Sequence, residues 1–181
     1  MKVANTSLQD VRILTPTLFK DDRGHFYESY NQKLVNEALG KNIHFVQDNH
    51  SHSARGVLRG LHYQVAPMAQ AKLVRVVLGS VFSVVVDVRP ESSTYCRWIG
   101  IELSSESGQQ LWIPEGFANG FYVLSDSADY LYKTTNYYSP THERTISWDD
   151  ANLDIRWPLT GSPTLSPKDA CAPALVRSIT P

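Results

Sequence analysis

The chain has 181 residues, with 17 basic and 18 acidic side chains, six His and two Cys, and 42% of it is hydrophobic. That length favours one domain, 1–181, able to bury a core without a disulfide or metal staple. The formal net charge of −1 gives no long-range field for nucleic acid or an anionic membrane, so any nucleotide contact must come from a few placed Arg and Lys residues. No run reaches the roughly 18 apolar residues of a membrane helix. The start, Met1-Lys2-Val3-Ala4-Asn5, turns polar at once, and Cys96 and Cys171 stand apart without a CxxC. A cytoplasmic protein with reduced thiols is expected.

Gly, Pro and Ser-rich breaks recur about every 8–12 residues between β-branched and aromatic runs, the pattern of a sandwich or barrel. Strands are predicted near 11–15, 25–30, 43–50 and 57–64. The segment 72–78, the Gly79-Ser80 break and the segment 81–88 read as two strands joined by a tight hairpin. Further strands are predicted near 97–103, 109–113, 120–125 and 129–135. One helix stands out, capped by Asn31, with Leu34, Val35, Ala38 and Leu39 on one face and Gly40 ending it. A short turn near 149–153 is a second helical candidate. After Trp157, Pro158, Pro163, Pro167, Pro173 and Pro181 predict an extended tail wrapping the surface. The expected fold is mainly antiparallel β and jelly-roll-like.

The chain lacks GxGxxG, a P-loop lysine motif, GxSxG and HExxH, so the usual marks of Rossmann hydride transfer and P-loop phosphoryl transfer are missing. Polar residues concentrate between Phe45 and Gln70. There, Gly56-Val57-Leu58-Arg59-Gly60-Leu61-His62-Tyr63-Gln64 reads as a strand broken at Gly60. Alternation sets His62 and Gln64 on one face and Leu61 and Tyr63 on the other. Such a strand either lines a cavity with Arg59 and His62 or is a solvated edge with an incidental His. His50-x-His52 has the spacing of a β-sandwich metal site, but the residues after it supply Arg55 and Arg59 and no carboxylate, so a metal-free reading is preferred. Tyr130, Tyr132 and Thr134 share a strand face, as half-buried packing or as a phenol proton donor. Lys72 opens an apolar strand, either reaching water or aimed into a cavity. Together, a His, a Tyr, a Lys and two Arg suggest proton abstraction beside a carbonyl in an anion-binding pocket.

A set of ordered motifs sharpens this picture. Asp22-Arg23-Gly24-His25-Phe26-Tyr27-Glu28, Gln47-Asp48-Asn49-His50-Ser51 and Gly56–Gln64 are followed by Lys72-Leu73-Val74 and Leu111-Trp112-Ile113-Pro114-Glu115-Gly116-Phe117-Ala118. Leu131-Tyr132-Lys133, Trp148-Asp149-Asp150 and Leu165-Ser166-Pro167-Lys168-Asp169 complete them. From about residue 10 to residue 170 the chain closely resembles the dTDP-4-dehydrorhamnose 3,5-epimerase family. The resemblance implies a cupin-type jelly roll, a homodimer, and neither metal nor other cofactor. By that resemblance His62 is the base, Asp169 its partner, Tyr132 the acid on the opposite sugar face, and Lys72 the cation at the enolate oxygen. Arg23, Glu28, Gln47, Asn49, Arg59, Glu143 and Lys168 match positions that contact the nucleotide-sugar. Tyr138, with Phe26 of the partner subunit, would stack on the thymine. Asn119 stands where the family usually has His, and Ser83 where Asp is common. A single-centre epimerase, a 3,4-ketoisomerase and a binding-only cupin are the alternatives that resemblance leaves open.

Overall fold

In a computed structural model, residues 1–175 are described; Pro181, at the end of the expected tail, lies outside them. Two antiparallel sheets and a two-stranded ribbon account for the strands. The six-stranded sheet runs β1 (Lys2–Asn5), β2 (Arg12–Thr15), β10 (Gln110–Ile113), β7 (Lys72–Leu78), β12 (Ser127–Thr134), β5 (Gln47–Ala54). The five-stranded sheet runs β13 (Glu143–Thr145), β6 (Leu58–Gln64), β11 (Phe117–Val123), β8 (Ser80–Asp87), β9 (Trp98–Ser104). The ribbon pairs β3 (Phe19–Asp21) with β4 (Gly24–Phe26). The two large sheets stack without their hydrogen bonding closing into a continuous barrel.

Three apolar layers hold this arrangement together. Val74, Val76, Val81, Val85, Leu111 and Phe121, from both sheets, fill the space between them. Helix α1 (Gln32–Leu39) covers the outer face of the six-stranded sheet, with Val35 buried against Leu14, Leu73 and Trp112. The segment after β13 covers the other outer face, where Ile146 and Leu153 meet Leu61, Val84 and Val86. Strands buried on both faces explain why β7 and β8 read as near-continuous apolar runs.

Those runs are not a hairpin. β7 pairs with β10 and β12, whereas β8 pairs with β9 and β11, so Gly79-Ser80 carries the chain from one sheet to the other. Gly79 makes the crossing at φ +73, where an added Cβ would lie 2.0 Å from the Ser127 carbonyl oxygen. The helix forms where expected: the Asn31 side chain accepts from the Leu34 N–H and Gly40 ends it at φ 62. The second helix, α2 (Pro167–Ala170), falls inside the tail, and 149–153 holds turns. The strand predicted near 43–50 begins only at Gln47, and that near 25–30 ends at Phe26.

One irregularity sets up the functional face. Between β6 and β11, His62 pairs with Asn119 and Arg59 with Phe121, so the register slips by one residue in between. In a regular strand, residues three apart face opposite ways. The slip brings Arg59 and His62 to the same inner face while Leu61 packs outward. Gly60 and Gly120 meet at this point; a Cβ on Gly60 (φ +124) would lie 2.5 Å from the Gly120 Cα. Gly60→Ala is expected to cost about 3 kcal/mol or more, the combined scale of backbone strain and overpacking, read as a lower urea midpoint at unchanged m-value.

Candidate active site

Where the inter-sheet apolar layer ends, the inner faces become polar and enclose a cavity of about 860 Å³. His62 and Arg59 enter it from β6, Lys72 from the start of β7, Tyr132 from β12, and Asp169 from α2. The His62 Nε2–H donates to Asp169 Oδ1 at 2.6 Å. Asp169 is only 3% exposed. Burial alone would raise its carboxyl, but the hydrogen bonds and charge of His62, the Ser166 hydroxyl and the Lys168 charge hold it below the usual carboxylate range.

Lys72 is buried, and its Nζ donates to the His62 carbonyl oxygen at 3.2 Å and lies 5.8 Å from the Tyr132 ring centre. Desolvation pushes this ammonium down to about 8, with the Lys168 charge adding to the shift and Glu143 opposing it. Of the two readings open for Lys72, the structure therefore gives the cavity one. Burial, then the charge of Glu143, pushes the Tyr132 phenol up, so it stays protonated at neutral pH.

Around the mouth, Glu143 on β13 accepts from Lys168 Nζ at 2.8 Å and from the Tyr138 hydroxyl at 3.0 Å. Gln47 donates to Asn49 Oδ1 at 2.8 Å and accepts from the Tyr138 N–H at 3.0 Å. Arg59 donates to Ser53 Oγ and the His52 carbonyl, tying β6 to edge strand β5.

The floor is uncharged. Asn119, opposite His62 in the β6–β11 pairing, donates to the Val84 carbonyl at 3.0 Å and to Ser83 Oγ at 3.3 Å. Its Oδ1 accepts from the Tyr130 hydroxyl at 3.2 Å. Tyr130 is buried, stacks on Phe121 with ring centres 4.2 Å apart, and has its phenol pushed up chiefly by desolvation. Ser83 thus contacts Asn119 and Tyr130.

Five expected residues are not among those that line this cavity: Gln47 and Asn49, on β5 beside Tyr138 and Tyr132, and three that lie farther off. Arg23 and Phe26 are on the β3–β4 ribbon, beside a separate surface depression. The Arg23 side chain is 89% exposed and paired with Asp21, and Phe26 is 68% exposed. Glu28 is exposed and accepts from Asn31 at the start of α1. His50 and His52 point outward and share Asp129 of β12, at 3.5 and 2.5 Å. Among the described residues no group of three or more His, Cys, Asp or Glu is arranged to hold a metal ion. Ser51, Tyr130 and Ser166, which are not among the expected site residues, also line the cavity. Tyr130 was visible in the Tyr stripe, and Ser166 at cap spacing from Asp169.

With this geometry in view, the comparisons are decisive. The family model for dTDP-4-dehydrorhamnose 3,5-epimerase matches residues 5–177. The dTDP-4-dehydrorhamnose 3,5-epimerase of Salmonella typhimurium is 53% identical over 179 residues, covering 99% of this chain and 98% of the relative. This chain belongs to the dTDP-4-dehydrorhamnose 3,5-epimerase family. A solved Legionella pneumophila dTDP-6-deoxy-D-glucose-3,5-epimerase, in complex with dTDP-4-keto-L-rhamnose, superposes with a TM-score of 0.93 at 50% identity, covering 96% of this chain and 92% of that one. A 3′-monoepimerase of Streptomyces bikiniensis in complex with dTDP-quinovose reaches 0.90 at 32% identity, covering 95% and 87%. The fold is the family's cupin-type jelly roll. Among the described residues no helix is long and apolar enough to cross a membrane.

Among the described residues every buried side-chain N and O atom has a partner, which makes the floor sensitive to deletion of one donor. Tyr130→Phe leaves Asn119 Oδ1 without its phenol and is expected to cost about 1–2 kcal/mol, measured by thermal or urea unfolding.

Proposed function

We propose that this protein epimerises dTDP-4-dehydro-6-deoxy-glucose at carbons 3 and 5, giving dTDP-4-dehydro-L-rhamnose, with its own side chains and no metal. The observation that carries the reading is the convergence of the His62–Asp169 pair, the Lys72 ammonium and the Tyr132 phenol on one cavity. A hydrogen on carbon beside a ketone is weakly acidic in water. Its removal becomes accessible when a base and a preorganised cation act together.

In this reading the proton of His62 sits on Nε2, held by Asp169, leaving the Nδ1 lone pair as base. His62 takes the proton from carbon 3 or 5, and the C–H pair of electrons moves toward the ketone oxygen. Lys72 stabilises the resulting enolate without itself giving up a proton. Tyr132 then donates its phenolic proton to the opposite face of the same carbon, so one C–H bond breaks and one forms with inversion. Both carbons flank the same ketone, so one set of groups serves each in turn once solvent has taken the proton from His62 and returned one to Tyr132.

The diphosphate would meet Arg59 and Lys168, whose charges fit an anion in a chain of near-zero net charge. Tyr138 would stack on the thymine, with Gln47, Asn49 and Glu143 around the nucleotide and Asn119 below the sugar. Arg23 and Glu28 would complete the nucleotide contacts, and Phe26 of the partner subunit would flank the thymine. A homodimer is supported by the exposed Phe19 and Phe26 on a ribbon outside this chain's own cavity. The reading takes 1–181 as one domain in the cytoplasm, consistent with Cys96 and Cys171 both being free.

Incubation with the 4-keto substrate in deuterated water tests the reaction. Two deuterons per sugar are expected, at carbons 3 and 5. Label at one carbon alone would favour the single-centre reading, which the uncharged Asn119 and the likeness to a monoepimerase make the nearest rival. His62→Asn is expected to abolish wash-in at both carbons. Tyr132→Phe should retain dTDP binding and lose product formation, and unchanged turnover would remove the phenol as acid.

The Lys72 ammonium sets an alkaline limit. Its lowered pKa means the charge is present below about 8 and lost above it. The expected kcat/KM of the free enzyme therefore falls as pH rises through about 8. In kcat the limb should move upward, because the bound diphosphate favours the charged form. A kcat/KM flat to pH 10 would remove Lys72 as the required cation.

A further inference from the structure

Asp169 has two carboxylate oxygens and only one of them faces His62. Oδ1 takes the imidazole N–H at 2.6 Å, while Oδ2 accepts from the Ser166 hydroxyl at 2.9 Å. The same hydroxyl oxygen accepts from the Asp169 backbone N–H at 3.1 Å, closing a small ring through one residue's main chain and side chain. Ser166 is also the cap of α2, extended at φ −73 and ψ 158, and Pro167 follows it at the first helical position.

We propose that Ser166 is a positioning residue for epimerisation, orienting the Asp169 carboxylate so that Oδ1 meets the His62 ring; this rests on the His62 base reading given above. A carboxylate held by one hydrogen bond can rotate about its terminal torsion, because that torsion is broad and roughly two-fold. A second bond to the other oxygen removes that freedom. The imidazole partner is then held in one tautomer and one ring orientation, as outer partners do for ligating histidines.

The neighbouring charges do not duplicate this role. Lys72 donates to the His62 carbonyl, and Lys168 is paired with Glu143. Ser166 reaches the pair from the tail, which is docked on β6 by reciprocal backbone bonds: the Leu58 N–H donates to Thr164 and the Thr164 N–H to Gly56.

Capping and positioning separate by substitution. Gly replaces a capping Ser at little cost to the helix start, whereas Ala costs distinctly more. Neither can donate to Oδ2, and Thr can do both. Ser166→Ala, Ser166→Gly, Ser166→Thr and His62→Asn are compared by deuterium wash-in from the 4-keto substrate, by dTDP affinity and by melting temperature. Ala and Gly are both expected to lower kcat about tenfold or more, with dTDP affinity within about twofold of wild type, and Thr to restore the rate. Wild-type kcat in Ser166→Ala overturns the proposal. So does a rate kept in Ser166→Gly but lost in Ser166→Ala, which would make the cap the whole effect. In both cases an inactive His62→Asn leaves the base assignment standing. Persistent wash-in in His62→Asn removes that assignment, and the role of Ser166 with it.

Discussion

Two backbones touching without side chains, Gly60 against Gly120, underlie the rest of the site. Where they meet, β6 and β11 slip by one residue, and Arg59 and His62 come to share the inner face. A regular strand would have sent one of them into the apolar layer under Ile146 and Leu153. The imidazole could then not meet a carboxylate arriving from the tail, and the guanidinium could not tie β6 to β5. Main-chain sterics at two positions thus decide which polar groups the cavity receives.

Buried charge is used in two different ways in this fold. Asp87 is fully buried, accepts from Arg89, Ser92 and Thr94, and is held down at about 2 despite its desolvation. Every partner there belongs to the loop it anchors, so the group stabilises a turn and faces no ligand. Asp169 is as deeply placed, but one of its partners is an imidazole at the cavity wall. Lys72 is the opposite case: a buried ammonium bonded to a carbonyl, with no carboxylate paired to it among the described residues and its affinity for a proton lowered. Such a group is poised to respond to negative charge appearing in the cavity. Lys72 and Arg59 face the cavity without an ion-pair partner among the described residues, Lys168 faces it paired with Glu143, and the floor of Tyr130, Asn119 and Ser83 adds no charge.

What could be read from the sequence follows the range of the forces involved. The helix was legible because Asn31 and Gly40 act within a few residues of themselves. On β6 Gly60 announces the break in alternation, but the residues alone leave open whether Arg59 and His62 line a cavity or a solvated edge. Gly79-Ser80 misled because a sheet crossing and a hairpin both need a glycine turn between apolar runs, and the strand partners that distinguish them lie far along the chain. The carboxylate between His50 and His52 was invisible for the same reason: Asp129 arrives from another strand. Asp169 could be named as partner of His62 only through resemblance, since nothing local joins residues 107 positions apart. Arg23 and Phe26 show a different limit. The ribbon that carries them lies away from this chain's cavity, a placement with no local sequence mark.

The His62–Asp169 pair joins the middle of the chain to a segment that lies beyond β13, the last strand of either sheet. The same segment completes the outer apolar layer, where Leu153, Ile155 and Trp157 pack with Leu61, Val84 and Val86, so closing that face and bringing residue 169 to residue 62 are one event. A cut between β13 and Ser166 would therefore loosen the outer apolar layer together with the pair, and the two losses would be felt as one.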